Sequence, residues 1–177
     1  MSSSKIKRAV VSAVLIIVAF VLQCTVMKSI SLSSISPNIL IIVTATIALM
    51  HGQVEGMVTG FFIGLLIDIQ FGDILGLYAL IYLIIGFVCG IFTPHYTKDN
   101  IKLPMLVFTV SEFAYGLVIC LLMFVLRSEF HFINYLIHNI IPEVIYTIVA
   151  AVPVYLLVLY IDQKIEIAEK RSAYKVD

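Results

Sequence analysis

GFFIGLLIDIQFGDILGLYALIYLIIGFVCGIF, Gly60 to Phe92, reads as two apolar helices joined by a short polar turn. The first belongs to a longer series in which Gly52, Gly56, Gly60 and Gly64 recur every fourth residue, with Asp68 in the next place of that register. On a helix this spacing makes a nearly continuous groove without side chains, drifting about 40° per step. A second helix can approach such a groove closely and gain van der Waals contacts that lipid does not supply. Gly86 and Gly90 repeat the pattern beyond the turn, and eight of the nine glycines fall between Gly52 and Gly90. The groove is therefore expected to pack within the chain rather than against a partner. Gly72 and Gly76 supply permissive backbone where the helices reverse direction. Asp68 is expected to accept hydrogen bonds from amides of that turn and so fix the hairpin.

The remainder of the chain is equally apolar. Of 177 residues, 62% are hydrophobic and 12% charged, and the mean hydropathy is +1.11. A soluble domain is roughly half apolar and about a quarter charged, and a soluble fold of this size could not hide so much apolar surface. A water-soluble enzyme and a nucleic-acid binder are thereby excluded. Eleven basic and eleven acidic residues cancel, so bulk charge recruits no partner. The length suits a single domain, an all-α bundle of about six membrane helices.

The expected spans are about 9–27, 38–50, 54–69, 74–92, 103–126 and 140–161. The first follows Lys5, Lys7 and Arg8 and is too long for the apolar part of a signal peptide, so it reads as an uncleaved span. The disputed region is 38–69. As one helix its 32 residues would be about 48 Å long, well beyond the bilayer. His51-Gly52-Gln53-Val54-Glu55 splits it into two short spans, which need shielding by neighbours or a wet or thin environment. Basic residues gather on the cytoplasmic side of membrane proteins. Six spans place nine of them inside and only Lys28 and Arg127 outside, whereas five spans leave four inside and seven outside. Six spans with both termini cytoplasmic is the expected topology.

With those features in place, Gly60–Phe92 resembles the signature of the rod shape-determining protein MreD family. Gly60, Gly64, Leu65, Leu66, Asp68, Gly72, Gly76, Leu77, Tyr78, Ala79 and Leu80 fill the places of its Gly-x-x-x-Gly-Leu-Leu-x-Asp helix, its turn and its Gly-Leu-Tyr-Ala-Leu helix start. The motif covers about a fifth of the chain; the likeness extends more loosely to Pro37-Asn38, while the last two spans match only in hydropathy. The resemblance implies a non-enzymatic, multi-pass subunit of the bacterial inner membrane. Such a subunit works with MreC, the cytoskeletal MreB, RodA and a class B penicillin-binding transpeptidase in side-wall peptidoglycan synthesis. It also implies a fold similar to the substrate-binding subunits of energy-coupling-factor vitamin transporters. A vitamin-binding subunit of that kind is the alternative function; Ala9 and Ala13, four apart, are similar to its small-residue coupling face, but the outward loops lack a polar substrate constellation.

Three acids fall in or near spans: Asp68, Glu112 and Glu143. A charge at mid-bilayer costs at least about 2.5–3.5 kcal/mol, so each must face protein or water. Glu112 is the deepest, with no basic residue in any span centre to pair with it. Its structural reading is a neutral carboxyl donating a hydrogen bond to a neighbouring helix; its functional reading is a proton relay or ligand contact. Asp68 and Asp73 lack the Gly-x-Gly-Asp pattern of intramembrane aspartyl proteases, since Gln70 stands at the first glycine. Glu143, after Pro142, suits the first turn of the last span. Pro153 is expected to kink that span, and the charged tail after Ile161 to continue it into the cytoplasm.

His51 and Glu55 have metal-compatible spacing but no third ligand nearby. Cys24, Cys89 and Cys120 lie in apolar runs and read as packing residues, without disulfides. Phe130, Phe132 and Tyr135 read as an interfacial belt and, second, as a docking surface. No catalytic, cofactor or metal residue is expected. The packing or interaction candidates are Gly56, Gly60, Gly64, Asp68, Gly72, Gly76, Tyr78 and Glu112.

Overall fold

The computed structural model describes residues 3–27, 36–72, 74–98, 100–127 and 136–173. Asp73, Phe130, Phe132 and Tyr135 lie outside the described residues. The described chain is all-helical, with six α-helices. They are α1 (Ser3–Leu22, extended by a π turn at Gln23–Met27), α2 (Ile39–His51), α3 (Gln53–Phe71), α4 (Leu77–Ile91), α5 (Lys102–Arg127) and α6 (Ile141–Ala173). A single 3-10 turn, Thr93–His95, follows α4.

The bundle is built around α2. Every residue from Ile39 to Leu49 is buried, and each of the other five helices touches α2. A helix that is apolar all round must be enclosed all round. This answers the puzzle of its length: 13 residues rise only about 20 Å, but neighbours rather than lipid surround it. Its two threonines cost little there, because Thr44 and Thr46 donate to the carbonyls of Leu40 and Ile42 at 2.8 and 2.6 Å. Asn38 caps the helix, its side chain accepting from the Ile41 amide.

The companion span is not short. α3 runs 19 residues from Gln53 and is long and apolar enough to cross a membrane, as are Lys102–Leu122 and Leu136–Ala168. Gly52 makes this possible: at φ +98° it breaks α2 and lets α3 start one residue later. The shorter apolar helices are Val10–Thr25, Ile39–His51 and Leu77–Ile91.

Outer faces of the helices expose large apolar side chains such as Val14, Leu106, Val149 and Leu157. In water such surfaces would associate; against lipid they are at equilibrium. α6 continues to Ala173, so the charged tail does extend the last helix, and Pro153 lies inside it. Upstream, a π turn at Leu136–Ile140 leads into α6 at Ile141, so the helical run begins before Pro142 rather than at it. Pro142 has no amide to offer the carbonyl four residues back, which accounts for the widened turn there.

Candidate functional site: a glycine-packed hairpin and a buried carboxyl

The expected groove is a helix–helix interface inside the chain. α3 and α4 run antiparallel with backbones in contact over their full common length. A Cβ on Gly60 would strike the Tyr82 carbonyl, and one on Gly64 would strike that of Tyr78. A Cβ on Gly56 would come within 2.6 Å of the Gly86 carbonyl and also meet Ala48 of α2. From the other side, Gly86 meets the Gly56 carbonyl and Gly90 meets the backbone of Gln53. Five glycines from two helices thus face one another or bare backbone, which no other residue type permits.

Asp68 closes the hairpin at its turn end. It is 2% exposed, and its two carboxylate oxygens accept from the amides of Tyr78 and Ala79, each at 2.9 Å. These are first-turn amides of α4, which have no partner within their own helix. The residue that would ordinarily cap them is Gly76, which has no side chain and sits at φ +96°. Asp68 therefore performs a capping role from the neighbouring helix and places its negative charge at the positive end of α4. Gly72 fits beneath it, since a Cβ there would lie 2.7 Å from the Asp68 carbonyl. Tyr78 takes part through its backbone: its amide binds Asp68 and its carbonyl lies against Gly64.

Glu112 belongs to a second, separate cluster. It is 2% exposed on α5 and its carboxyl faces Asn38, the cap of α2, and Thr147 of α6. Both act on the carboxyl, although among the described residues neither carboxyl oxygen has a partner in full hydrogen-bond geometry. The surrounding groups have other engagements. Asn38 Oδ1 accepts from the Tyr82 hydroxyl at 3.1 Å and the Ile41 amide at 3.3 Å, while the Asn38 amide donates to Thr147 Oγ1 at 3.0 Å. Gln23, at the end of α1, binds the Pro37 carbonyl and the Ile39 amide at 3.0 and 2.8 Å. Tyr82 and Tyr115 form an edge-on pair with centroids 5.7 Å apart, and Glu143 stands half-buried within electrostatic reach of Glu112. Tyr82 and Thr147 were not singled out by sequence, and Asn38 only through the looser family likeness, because nothing in their spacing shows that they converge.

A third polar group ties the opposite end of the bundle. His51 Nε2 lies 2.9 Å from Asp162 Oδ1, and its Nδ1 lies 3.4 Å from Glu55. Lys98 reaches Glu166 at 2.8 Å and Asp162 at 3.8 Å. The His51–Glu55 pair thus meets Asp162 of α6. Among the described residues no group of three His, Cys, Asp or Glu could hold a metal ion. Nearby, the Tyr96 and Tyr155 hydroxyls are 2.9 Å apart; burial, then that hydrogen bond, raises the Tyr96 phenol above its usual range. Lys98 is 42% exposed, so removing it loses an ion pair of the weak, water-screened kind. Lys98→Ala is expected to change unfolding free energy by less than about 1 kcal/mol in a denaturant titration of the purified protein. Among the described residues no disulfide links Cys24, Cys89 or Cys120, and Cys89 meets the Ser111 hydroxyl at 3.2 Å.

No curated protein and no solved structure matches the chain, so a similarity to vitamin-transporter subunits gains no structural support. The family described as rod shape-determining protein MreD matches residues 3–165. With nearly the whole bundle covered, including the glycine hairpin, the chain belongs to the MreD family of rod shape determinants, membrane proteins of bacteria.

Proposed function

We propose that this protein is a non-enzymatic subunit of the cell-wall elongation complex, holding MreC and, with it, MreB, RodA and a class B transpeptidase in side-wall peptidoglycan synthesis. The observation that carries this reading is the family match over residues 3–165, which takes in five of the six helices whole and most of the sixth. The architecture suits such a role. The polar side chains Asn38, Asp68, Glu112 and Thr147 are buried within the bundle, and the outer faces are long apolar surfaces on which a single-pass partner helix can dock in lipid.

In this reading the six helices are six spans of the inner membrane with both termini in the cytoplasm, supported by the nine-to-two distribution of basic residues. The His51–Asp162–Lys98 network then lies at the cytoplasmic end and the Asp68 cap at the outer end. A cysteine placed in the segment after Ala173 is expected to react with a membrane-impermeant maleimide only after the cells are opened. Labelling in intact cells would reverse the topology.

Depletion in a rod-shaped host is expected to convert rods to spheres, and affinity purification in mild detergent is expected to bring down MreC. Unchanged cell shape would refute the proposal. A vitamin retained in native mass spectrometry, with no MreC, would make the protein a transporter subunit instead.

A further inference from the structure

We propose that His51 is a proton-operated clasp: as an imidazolium it donates from both ring nitrogens, to Asp162 and to Glu55, and so ties the α2–α3 corner to the C-terminal part of α6. The geometry carries the inference. Nε2 lies 2.9 Å from Asp162 Oδ1 and Nδ1 lies 3.4 Å from Glu55 Oε2, so a carboxylate oxygen stands against each ring nitrogen. The His51 side chain is 15% exposed. Nδ1 is itself buried, and among the described residues no group meets it in full hydrogen-bond geometry.

A neutral imidazole has one N–H and one lone pair. Whichever nitrogen holds the proton, the other turns its lone pair toward an acid. If Nε2–H donates to Asp162, the lone pair of Nδ1 faces Glu55; in the other tautomer the lone pair faces Asp162 at the shorter distance. Only the imidazolium serves both acids. It also places a positive charge in the last turn of α2, the end of a helix that favours one. Histidine is the side chain whose charge ordinarily changes between about pH 5 and 8.

The other charges at this end leave that role to His51. Lys98 approaches Asp162 at Oδ2, the oxygen His51 does not use, at 3.8 Å, and is held closer by Glu166, at 2.8 Å. Tyr96, bonded to the Tyr155 hydroxyl, lies within electrostatic reach of Asp162. Asp162 is sheltered and Glu55 half exposed, so the Asp162 contact is the stronger arm and the Glu55 contact the one that answers to the proton. α2 touches every other helix, and α6 runs on past this contact to Ala173. With the proton bound, that extension is fixed to the centre of the bundle. As pH rises and the proton leaves, the Glu55 contact turns from attractive to repulsive, so the stabilisation is present at low pH and lost toward high pH. The clasp follows from the fold and does not depend on the partners proposed above.

The test uses the full-length protein in nanodiscs, melted at about pH 6, 7 and 8 at constant ionic strength. The parent is expected to melt about 3–6 °C above His51→Gln at the lowest pH, and the gap to fall to less than half of that at the highest. Groups that titrate elsewhere, His95 and His138 among them, are common to both proteins and cancel from the gap. Glu55→Gln changes a half-exposed side chain and offers an amide N–H to the bare nitrogen, so it is expected to flatten the pH profile of the parent. In parallel, nuclear magnetic resonance of protein isotope-labelled at the histidine ring nitrogens identifies His51 as the imidazole whose signal moves on Glu55→Gln. At the lowest pH that ring is expected to carry a proton on both nitrogens. A gap that stays constant across the three pH values, or an unchanged profile in Glu55→Gln, would overturn the proposal. A single N–H on that ring at the lowest pH, or imidazole signals that Glu55→Gln leaves unmoved, would overturn it even if His51→Gln does not fold.

Discussion

Gly60→Ala is expected to be, with Gly86→Ala, among the most damaging single-methyl changes in this protein. The added carbon would occupy the place of the Tyr82 carbonyl, with Leu83 N close behind it at 3.2 Å. Backbone atoms of a packed helix cannot rotate away as a side-chain tip can, so α3 and α4 must separate. Separation would also loosen Gly56 from Gly86 and Gly64 from Tyr78, because the three contacts share one pair of helices. Overpacking commonly costs about 1–3 kcal/mol and more where the backbone must move, and we expect at least about 3 kcal/mol here. That corresponds to a fall of roughly 6–12 °C in the thermal midpoint of the purified protein. Gly116→Ala is the control, since a Cβ there would meet the Ile140 side chain, no nearer than 3.0 Å, and no backbone. It should melt within a few degrees of the parent. Equal melting of Gly60→Ala and Gly116→Ala would show that the hairpin tolerates separation.

Asp68→Ala is the second large effect. It strips two first-turn amides of α4, Tyr78 N–H and Ala79 N–H, of their acceptors at a place that is almost fully enclosed. A buried donor left unmade costs about 1–3 kcal/mol, so the pair should cost about 2–5 kcal/mol. Asp68→Asn retains one carbonyl oxygen for one amide but turns an NH2 group toward the other, and it removes the charge at the α4 N-terminus. It should fall between the parent and Asp68→Ala. Steady-state level in the membrane and midpoint in detergent should follow that order. If Asp68→Asn were as damaging as Asp68→Ala, a contact with something outside the chain would be the better account of Asp68.

These two effects concern the part of the molecule that could be read before its structure. The four-residue glycine spacing has one geometric consequence on a helix, a bare stripe, and a stripe ending in Asp68 beside a glycine turn leaves few alternatives to a capped hairpin. Gly72 and Gly76 fell into place for the same reason. Glu112 was legible as an anomaly, because an acid at the middle of an apolar run is visible in one dimension. Its surroundings were not. Asn38, Tyr82 and Thr147 come from three other helices, at separations of 74, 30 and 35 residues from Glu112, and nothing local records that they meet. Asp162 escaped notice similarly: it looked like the start of a solvated tail, yet its side chain is only 11% exposed and bonded to His51.

Composition and periodicity alone established a helical membrane protein, six apolar segments and a glycine face with its acidic stop, since each of these is a property of the chain near itself. Which helix lies at the centre was settled only by folding. In sequence, α2 is a span too short for the bilayer; in the bundle that shortness is tolerable because five helices, rather than lipid, meet its surface. The same packing decided that Asp68 finds its amides and that Glu112 comes to face Asn38 and Thr147. Hydrogen bonds and ion pairs between helices depend on rotation and depth of each helix to within an ångström or so, and hydropathy specifies neither.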